Sequence, residues 1–426
     1  MSEILTLRHA AREAERCLQC SDAPCTAACP AHIDIPRFIW SLGTGNVAGA
    51  AEVVKTANAL ANVCGKVCPE EVFCQAVCTR AKQDSPVAIR ELHGFATREE
   101  YRRGYSIPRP FPGTGKRAAV IGGGPAGLAC AFELAKLGHR TTVFDRNRPG
   151  GVPRSSIPSF RLTIDEVESD VQFLSQYFDF TEGEIDSRKF NQIRADHDAV
   201  FLAVGLGVDK PVPVPGSGLP GVYSVLRFLE DAKTPTTTRP PGKRVVIVGG
   251  GNVSLDAAAT AKRLGASDVT LIYRRGEQEM RIWKSELTEA RGQGVAIAFL
   301  TTPVEIVGGA HVEGVRCRRT RLVEPRDTDG RRTPVEIPGS DFLIEADAVI
   351  VAIGQTPGTD FLGLFEKTPR GYVNVDAEFR TSLPSVFAGG DLVGGEGTIV
   401  QSVAQGKLAA EAIHRHLTAA APGRKG

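Results

Sequence analysis

Short apolar runs alternate with stretches of helical periodicity from Arg117 onward, and before that point they do not. RAAVIGG (117–123) reads as a buried strand, PAGLACAFELAKLG (125–138) as a helix stopped by its last glycine, and RTTVFD (140–145) as a second strand. The same succession returns as KRVVIVGG (243–250), NVSLDAAATAKRLG (252–265) and DVTLIYRR (268–275). Two βαβ units are therefore expected, a duplication of fold rather than of a short repeat. Ahead of them, Phe38, Ile39, Leu42 and the run AAEVVKTANAL keep helical spacing, with almost no strand-like text up to about residue 100. Pro- and Gly-rich breaks, RRGYSIPRPFPGTGK and KTPTTTRPPG, separate these texts. The expected organisation is a helical domain over 1–105, a nucleotide domain over 116–238, a second nucleotide domain over 239–357, and a return to the first over 358–426.

The charge balance removes several functions. Lys plus Arg number 51 against 49 Asp plus Glu, a net charge of +2, so no long-range field selects a nucleic acid or a membrane surface. With 42% apolar and 23% charged residues the chain is neither disordered nor fibrous. It has no 18-residue apolar run, and its opening MSEILTLRHAAREAERC carries acids where a secretory leader needs bases, so a cytoplasmic location is expected. The run RCRRTRLVEPRDTDGRR interleaves Glu324, Asp327 and Asp329 among its arginines and has no aromatics, which reads as a solvated hairpin.

Each βαβ unit opens on a glycine-rich turn. The first is Gly122-Gly-Gly124-Pro-Ala-Gly127, whose glycines permit a tight turn and close approach of backbone to a pyrophosphate at the helix N-terminus. Asp145 ends the next strand, where an acid accepts ribose hydroxyls. The second turn is Gly249-Gly-Gly251-Asn252-Val-Ser254, and no acid follows it. Arg274, Arg275 and Arg281 stand there instead, and guanidinium groups suit a 2′-phosphate, so NADP(H) is expected. Near the end, SVFAGGD places Gly390 and Asp391 after a strand, and GTIVQSVAQGKLAAEAI begins a helix at Thr398.

On these residues, from about Arg117 to His416, the chain resembles the two-dinucleotide-domain flavoproteins of glutathione-reductase-like fold. The resemblance implies FAD on the first unit, NADP(H) on the second and an FAD domain completed by the C-terminal segment. It also makes DAVFLAVG, ending at Gly205, and DAVIVAIG, ending at Gly354, the strand crossings between domains. No Cys pair follows residue 117; Cys130 and Cys317 read as packing residues, so electrons must leave by another route.

Eight of the ten cysteines lie between Cys17 and Cys78, spaced Cys17-x2-Cys20-x4-Cys25-x3-Cys29-Pro and Cys64-x3-Cys68-Pro-x4-Cys74-x3-Cys78. Thiolates in fours hold iron–sulfur clusters, and a late Cys before Pro commonly serves the other cluster; structural zinc is the alternative. RCLQCSDAPCTAACP, NALANVCGKVCPEEVFCQAVCTRA and PVAIRELHGF resemble the amino-terminal domain shared by dihydropyrimidine dehydrogenases and the glutamate synthase small subunit. With GGVPRSSIPSFRL, which contains Gly151 and Arg161, and YRRGEQEMR, the likeness covers almost the whole chain. It is strongest to the flavin and iron–sulfur subunit of the bacterial dihydropyrimidine dehydrogenases.

That resemblance implies one [4Fe-4S] cluster on Cys17, Cys20, Cys25 and Cys78. It implies a second on Cys29, Cys68, Cys74 and a non-cysteine ligand, a Gln in the dehydrogenases and an acid in the synthase subunits. Here the position falls on His93, and Cys64 is left as a packing thiol. Arg161 matches a position between flavin and cluster, a fixed cation rather than an acid or base. The expectation is thus an all-α iron–sulfur domain followed by two Rossmann-like α/β domains. Electrons would pass from NADPH through FAD and two clusters to a separate catalytic subunit, of FMN type, that reduces uracil or thymine. The rival readings are the glutamate synthase small subunit, a ferredoxin reductase, and a non-catalytic redox-sensing or assembly protein.

Overall fold

A computed structural model describes residues 6–103, 112–233, 240–326, 330–394 and 397–419. Most of the first break (104–111), most of the second (234–239), and Asp327 and Asp329 lie outside the described residues. The chain divides into two compact units. One holds residues 1–154, 159–206 and 357–426; the other holds 155–158 and 207–356.

The first unit begins with six helices: α1 (Leu7–Ala14), α2 (Pro24–Ala28), α3 (Ile35–Gly43), α4 (Val47–Ala57), α5 (Ala61–Val67) and α6 (Ile89–Arg103). Their starts are set by caps: Thr6, Asp34 and Asn46 each accept a backbone N–H of the first turn. Phe38, Ile39 and Leu42 are buried, as the helical spacing requires. Helices α5 and α6 pack backbone to backbone, because a Cβ on Gly65 would lie 2.7 Å from Gly94 Cα.

The helical segment is bonded to the first nucleotide fold. That fold has β1 (Arg117–Ile121), α7 (Pro125–Lys136), β2 (Arg140–Asp145), α8 (Ile164–Leu174), β3 (Asp179–Glu182) and β4 (Ala199–Leu202). Asp170 of α8 is fully buried and accepts the Asn62 and Val63 N–H groups at 3.1 and 2.8 Å, together with the Tyr101 hydroxyl. It therefore caps α5 from another part of the chain. Burial pushes its carboxyl up to about 6 against these hydrogen bonds. The sheet is parallel, in the order Val386–Ala388, β4, β1, β2, β3, and the long helix Ile399–Thr418 packs along α7.

The second unit repeats this plan with β5 (Val222–Ser224), β6 (Arg244–Gly249), α9 (Asn252–Arg263), β7 (Asp268–Tyr273), β8 (Ala296–Phe299) and β9 (Ala348–Ala352). In the order β5, β9, β6, β7, β8 the strands β9, β6, β7 and β8 correspond to β4, β1, β2 and β3 of the first sheet, while the edge strand β5 precedes the others in the chain where Val386–Ala388 follows them. Residues 207–233, read from the sequence as the end of the first nucleotide domain, fold here. The cause is β5, which lies beside β9 in parallel register, Val349 against Val222. The Arg-rich run forms the strand Val312–Arg326, paired antiparallel with Arg332–Glu336. Among the described residues no helix is long and apolar enough to cross a membrane.

Candidate functional site

The two glycine turns have the same steric logic. Gly122 has φ +108°, and a Cβ there would lie 2.3 Å from the Ala203 carbonyl oxygen at the end of β4. Gly249 has φ +157°, and a Cβ would lie 2.3 Å from the Ala352 oxygen at the end of β9. In each unit the turn presses on the strand that leads toward the other unit in sequence, ending at Gly205 (φ +62°) or Gly354 (φ +117°). The third site differs. Gly127 sits so close to β1 that a Cβ would come within 1.9 Å of the Gly122 oxygen. Ser254 is buried without conflict and returns its hydroxyl to the Gly251 carbonyl.

Around the first turn the structure gathers residues from distant parts of the chain. Asp145 accepts the Gly123 N–H at 2.6 Å through one carboxylate oxygen and the Asn147 N–H at 2.8 Å through the other. Burial raises its carboxyl, and these N–H groups oppose the rise. Each oxygen keeps a second lone pair for a ribose hydroxyl. Gly151 (φ +57°) lies against Gly124, where a Cβ would be 2.7 Å from its Cα. Gly390 lies against the first turn of α7, with a Cβ 2.9 Å from that of Ala126, and its N–H is held by Gln405 Oε1 at 2.7 Å. Asp391 follows, its carboxyl raised by burial, and Thr398 caps the long helix by accepting the Gln401 N–H. Arg161 is half-buried in this unit, in the segment just before α8.

The second turn is fastened to its arginines through backbone. Arg281 lies beside Gly251 in a parallel bridge, and Asn252 Oδ1 accepts the Trp283 N–H at 3.2 Å. Arg281 and Arg274 are exposed. Arg275 is not: it is 3% exposed, and its Nε donates to the Arg332 carbonyl at 3.0 Å. The structure thus brings two of the three expected arginines to the outside of this site and turns the third into the protein.

The thiols of the helical segment fall into two electrostatic sets. Burial raises Cys17 and pushes Cys25 up to about 11, and the neighbouring sulfurs add to it: Cys78 and Cys20 act on Cys17, Cys17 and Cys78 on Cys25. In the other set burial raises Cys68 strongly and Cys74 to about 12; Cys64, Cys74 and Cys29 push Cys68 up further, and Cys29 acts on Cys74, where Cys25 of the first set is felt as well. Cys64 is 2% exposed, is pushed by burial up to about 12 and feels Cys29 too. Among the described residues no three of His, Cys, Asp or Glu are grouped for a single metal ion. Thiols crowded this way ionise at neutral pH only when a cation shares their charge.

Cys29 is provided with donors. Burial raises its thiol, while the backbone N–H groups of Ile33, Ala31 and His32 and the Lys407 ammonium act in the opposite direction. His32 has φ +53°, which turns the chain back over the sulfur. His93 is 6% exposed; burial lowers it to about 4, the Ala61 carbonyl opposes this, and ring Nε2 has no hydrogen-bond partner. An imidazole tied at one nitrogen and orphaned at the other has the arrangement of a metal ligand. Its place fits the second set: it sits one turn beyond Arg90, which donates to the Cys68 carbonyl at 3.3 Å, and packs on Gly65 of α5. The donors present thus suit iron–sulfur clusters. Cys130 and Cys317 are fully buried, as packing residues are.

Comparison with known proteins matches the thiol-bearing helical segment and the nucleotide folds to separate profiles. Residues 116–406 match the profile of the pyridine nucleotide-disulphide oxidoreductases, and residues 1–105 match that of dihydropyrimidine dehydrogenase domain II, 4Fe-4S cluster. The chain is 36% identical to the glutamate synthase [NADPH] small chain of Halomonas elongata, covering 96% of this chain and 91% of that one. It is 35% identical to the NAD-dependent dihydropyrimidine dehydrogenase subunit PreT of Escherichia coli, at 96% and 95% coverage. It is 37% identical to the NADP(+)-dependent formate dehydrogenase subunit beta of Moorella thermoacetica, where it spans 60% of the relative's length. Mycobacterium tuberculosis FprA in complex with NADPH shares the fold, with a TM-score of 0.60 at 20% identity over 73% of this chain and 85% of that one. With paired glycine turns on matching sheets and thiols gathered ahead of them, the chain belongs to the pyridine nucleotide-disulphide oxidoreductases, as an NAD(P)H-dependent flavin and iron–sulfur electron-transfer protein of the group that includes PreT and the glutamate synthase small chain.

Proposed function

We propose that this chain oxidises NADPH and delivers single electrons to a separate catalytic subunit that reduces uracil or thymine to the 5,6-dihydro form. What supports this is the joining, in one compact unit, of the first glycine turn and both thiol sets, together with the likeness to the dihydropyrimidine dehydrogenase subunit PreT over nearly all of both chains. When bound, the flavin supplies the conversion of a hydride into single electrons and the clusters supply one-electron carriage. The chain's own residues bind and orient. Gly122, Gly124 and Gly127 would leave room for a pyrophosphate, Asp145 would hold the ribose of FAD, and Asp391 and Thr398 would serve its ribityl and phosphate end. Arg161 adds a fixed positive charge to the same unit. Gly249, Gly251, Asn252 and Ser254 cradle the second nucleotide, with Arg274 and Arg281 on its 2′-phosphate.

Cys17, Cys20, Cys25 and Cys78 hold one cluster. Cys29, Cys68, Cys74 and His93 hold the other, the orphaned Nε2 of His93 supporting its inclusion over Cys64. The experiment is affinity purification of the native chain with its partner, followed by NADPH-dependent reduction of uracil. A dihydropyrimidine product supports the proposal. The likeness to the Halomonas small chain over nearly all of both proteins supports a second reading, delivery to a glutamate synthase large subunit. Recovery of an amidotransferase, with glutamate formed from glutamine and 2-oxoglutarate, would establish it instead.

A further inference from the structure

The long helix Ile399–Thr418 has a second attachment besides its N-terminal cap. Gly406 packs so tightly on α7 that a Cβ would lie 2.2 Å from the Ala126 oxygen. On the next residue, Lys407, Nζ donates to the Ala31 carbonyl at 3.0 Å and to the Ala57 carbonyl at 2.6 Å. Ala57 is the last residue of α4, whose C-terminal carbonyls favour a cation. Ala31 is 1% exposed and belongs to the turn that folds over Cys29, closed by the His32 N–H on the Cys29 carbonyl at 2.8 Å. Adjacent residues of this helix therefore meet the start of α7, at Gly406, and the Cys29 turn, at Lys407.

We propose that Lys407 is a positioning residue that ties the Cys29 turn to the first nucleotide fold and, as a fixed positive charge, favours the reduced state of the cluster held by Cys29, Cys68 and Cys74. This rests on the reading that those thiols hold a cluster. A cluster gains one negative charge on reduction, and a nearby ammonium in a part-buried setting stabilises that charge far more than water does. Near Cys68 the cation Arg90 is paired with Glu70 at 2.8 Å while it donates to the Cys68 carbonyl; at the Cys29 turn the cation is Lys407, bonded to backbone carbonyls.

The test uses full-length protein reconstituted anaerobically with iron and sulfide, titrated potentiometrically with electron paramagnetic resonance detection. Lys407→Met keeps length and removes charge. It should shift one cluster to more negative potential, lowering its reduced-to-oxidised ratio at fixed ambient potential about tenfold, and leave the other cluster in place. Lys407→Arg should return most of that shift. Unchanged potentials in a Lys407→Met protein with full iron content would overturn the proposal. Should Lys407→Met lose iron, Lys407→Arg decides: a wild-type potential supports the fixed charge, and a lowered potential with full iron overturns it. Wild-type protein that binds no iron or sulfide would defeat the cluster reading itself, independently of Lys407.

Discussion

The two nucleotide folds share the order of four strands and the same 2.3 Å conflict that forbids a side chain at Gly122 and Gly249, yet they differ at the third glycine site and at the end of the second strand. In the first, Gly127 has no room for any side chain and Asp145 is drawn in by two backbone N–H groups. In the second, a serine fits and bonds back to Gly251, while the strand runs on to an exposed arginine. On the proposed assignment a shared backbone would serve two ligands: the turn would cradle a pyrophosphate in both, and the residue class at the strand end would select between them.

Exchanging the third residue should break the comparison most severely. Gly127→Ser places a Cβ against the Gly122 oxygen, so flavin content after reconstitution should fall to a small fraction of wild type, read from absorbance near the flavin bands. Flavin bound at full stoichiometry would show that the first cradle is not at this turn. Arg274→Ala combined with Arg281→Ala should cost NADPH about 10- to 100-fold in kcat/KM and NADH little, since charge-assisted hydrogen bonds to the 2′-phosphate are lost. An unchanged NADPH to NADH ratio would refute that assignment. Arg275→Ala should leave the same ratio alone and instead lower thermal stability, because its guanidinium bonds to the Arg332 carbonyl.

A smaller effect is expected where the second fold tolerates change. Ser254→Gly should lower stability by about 1 kcal/mol through a more flexible helix and one lost hydrogen bond, measured by thermal denaturation, with NADPH affinity kept. His93→Ala sets the cluster segment beside both folds. Iron content or the spectrum of one cluster should change while nucleotide preference stays the same, and an unaltered spectrum would remove His93 from the ligand set.

Sequence alone reveals the parts built by local periodicity. The strands RAAVI and RVVIV, the helices behind them and the turns between are set by neighbours in the chain. Asp145 was reachable because the length of a βαβ unit fixes where its second strand ends. Other features depend on distance. Lys407 meets partners 376 and 350 positions away, and Asp170 caps a helix 108 positions earlier, so nothing near either residue announces its task. Arg275 shows a local signal that charge counting passes over: along a strand and its continuation, successive side chains alternate sides, so two adjacent arginines do not both face one ligand. Residues 207–233 cluster with the second unit for a related reason. Strand β5 is only three residues long, and its partner β9 begins more than a hundred positions later.

The central claim is that electrons enter at the second fold, reach the first and leave through thiolate-held iron. Mixing anaerobic, fully reconstituted protein with NADPH in a stopped-flow spectrometer tests it directly. The account predicts loss of flavin absorbance, followed by reduction of both clusters with no partner present. Full occupancy of all cofactors with no change in flavin or cluster absorbance on adding NADPH would contradict it.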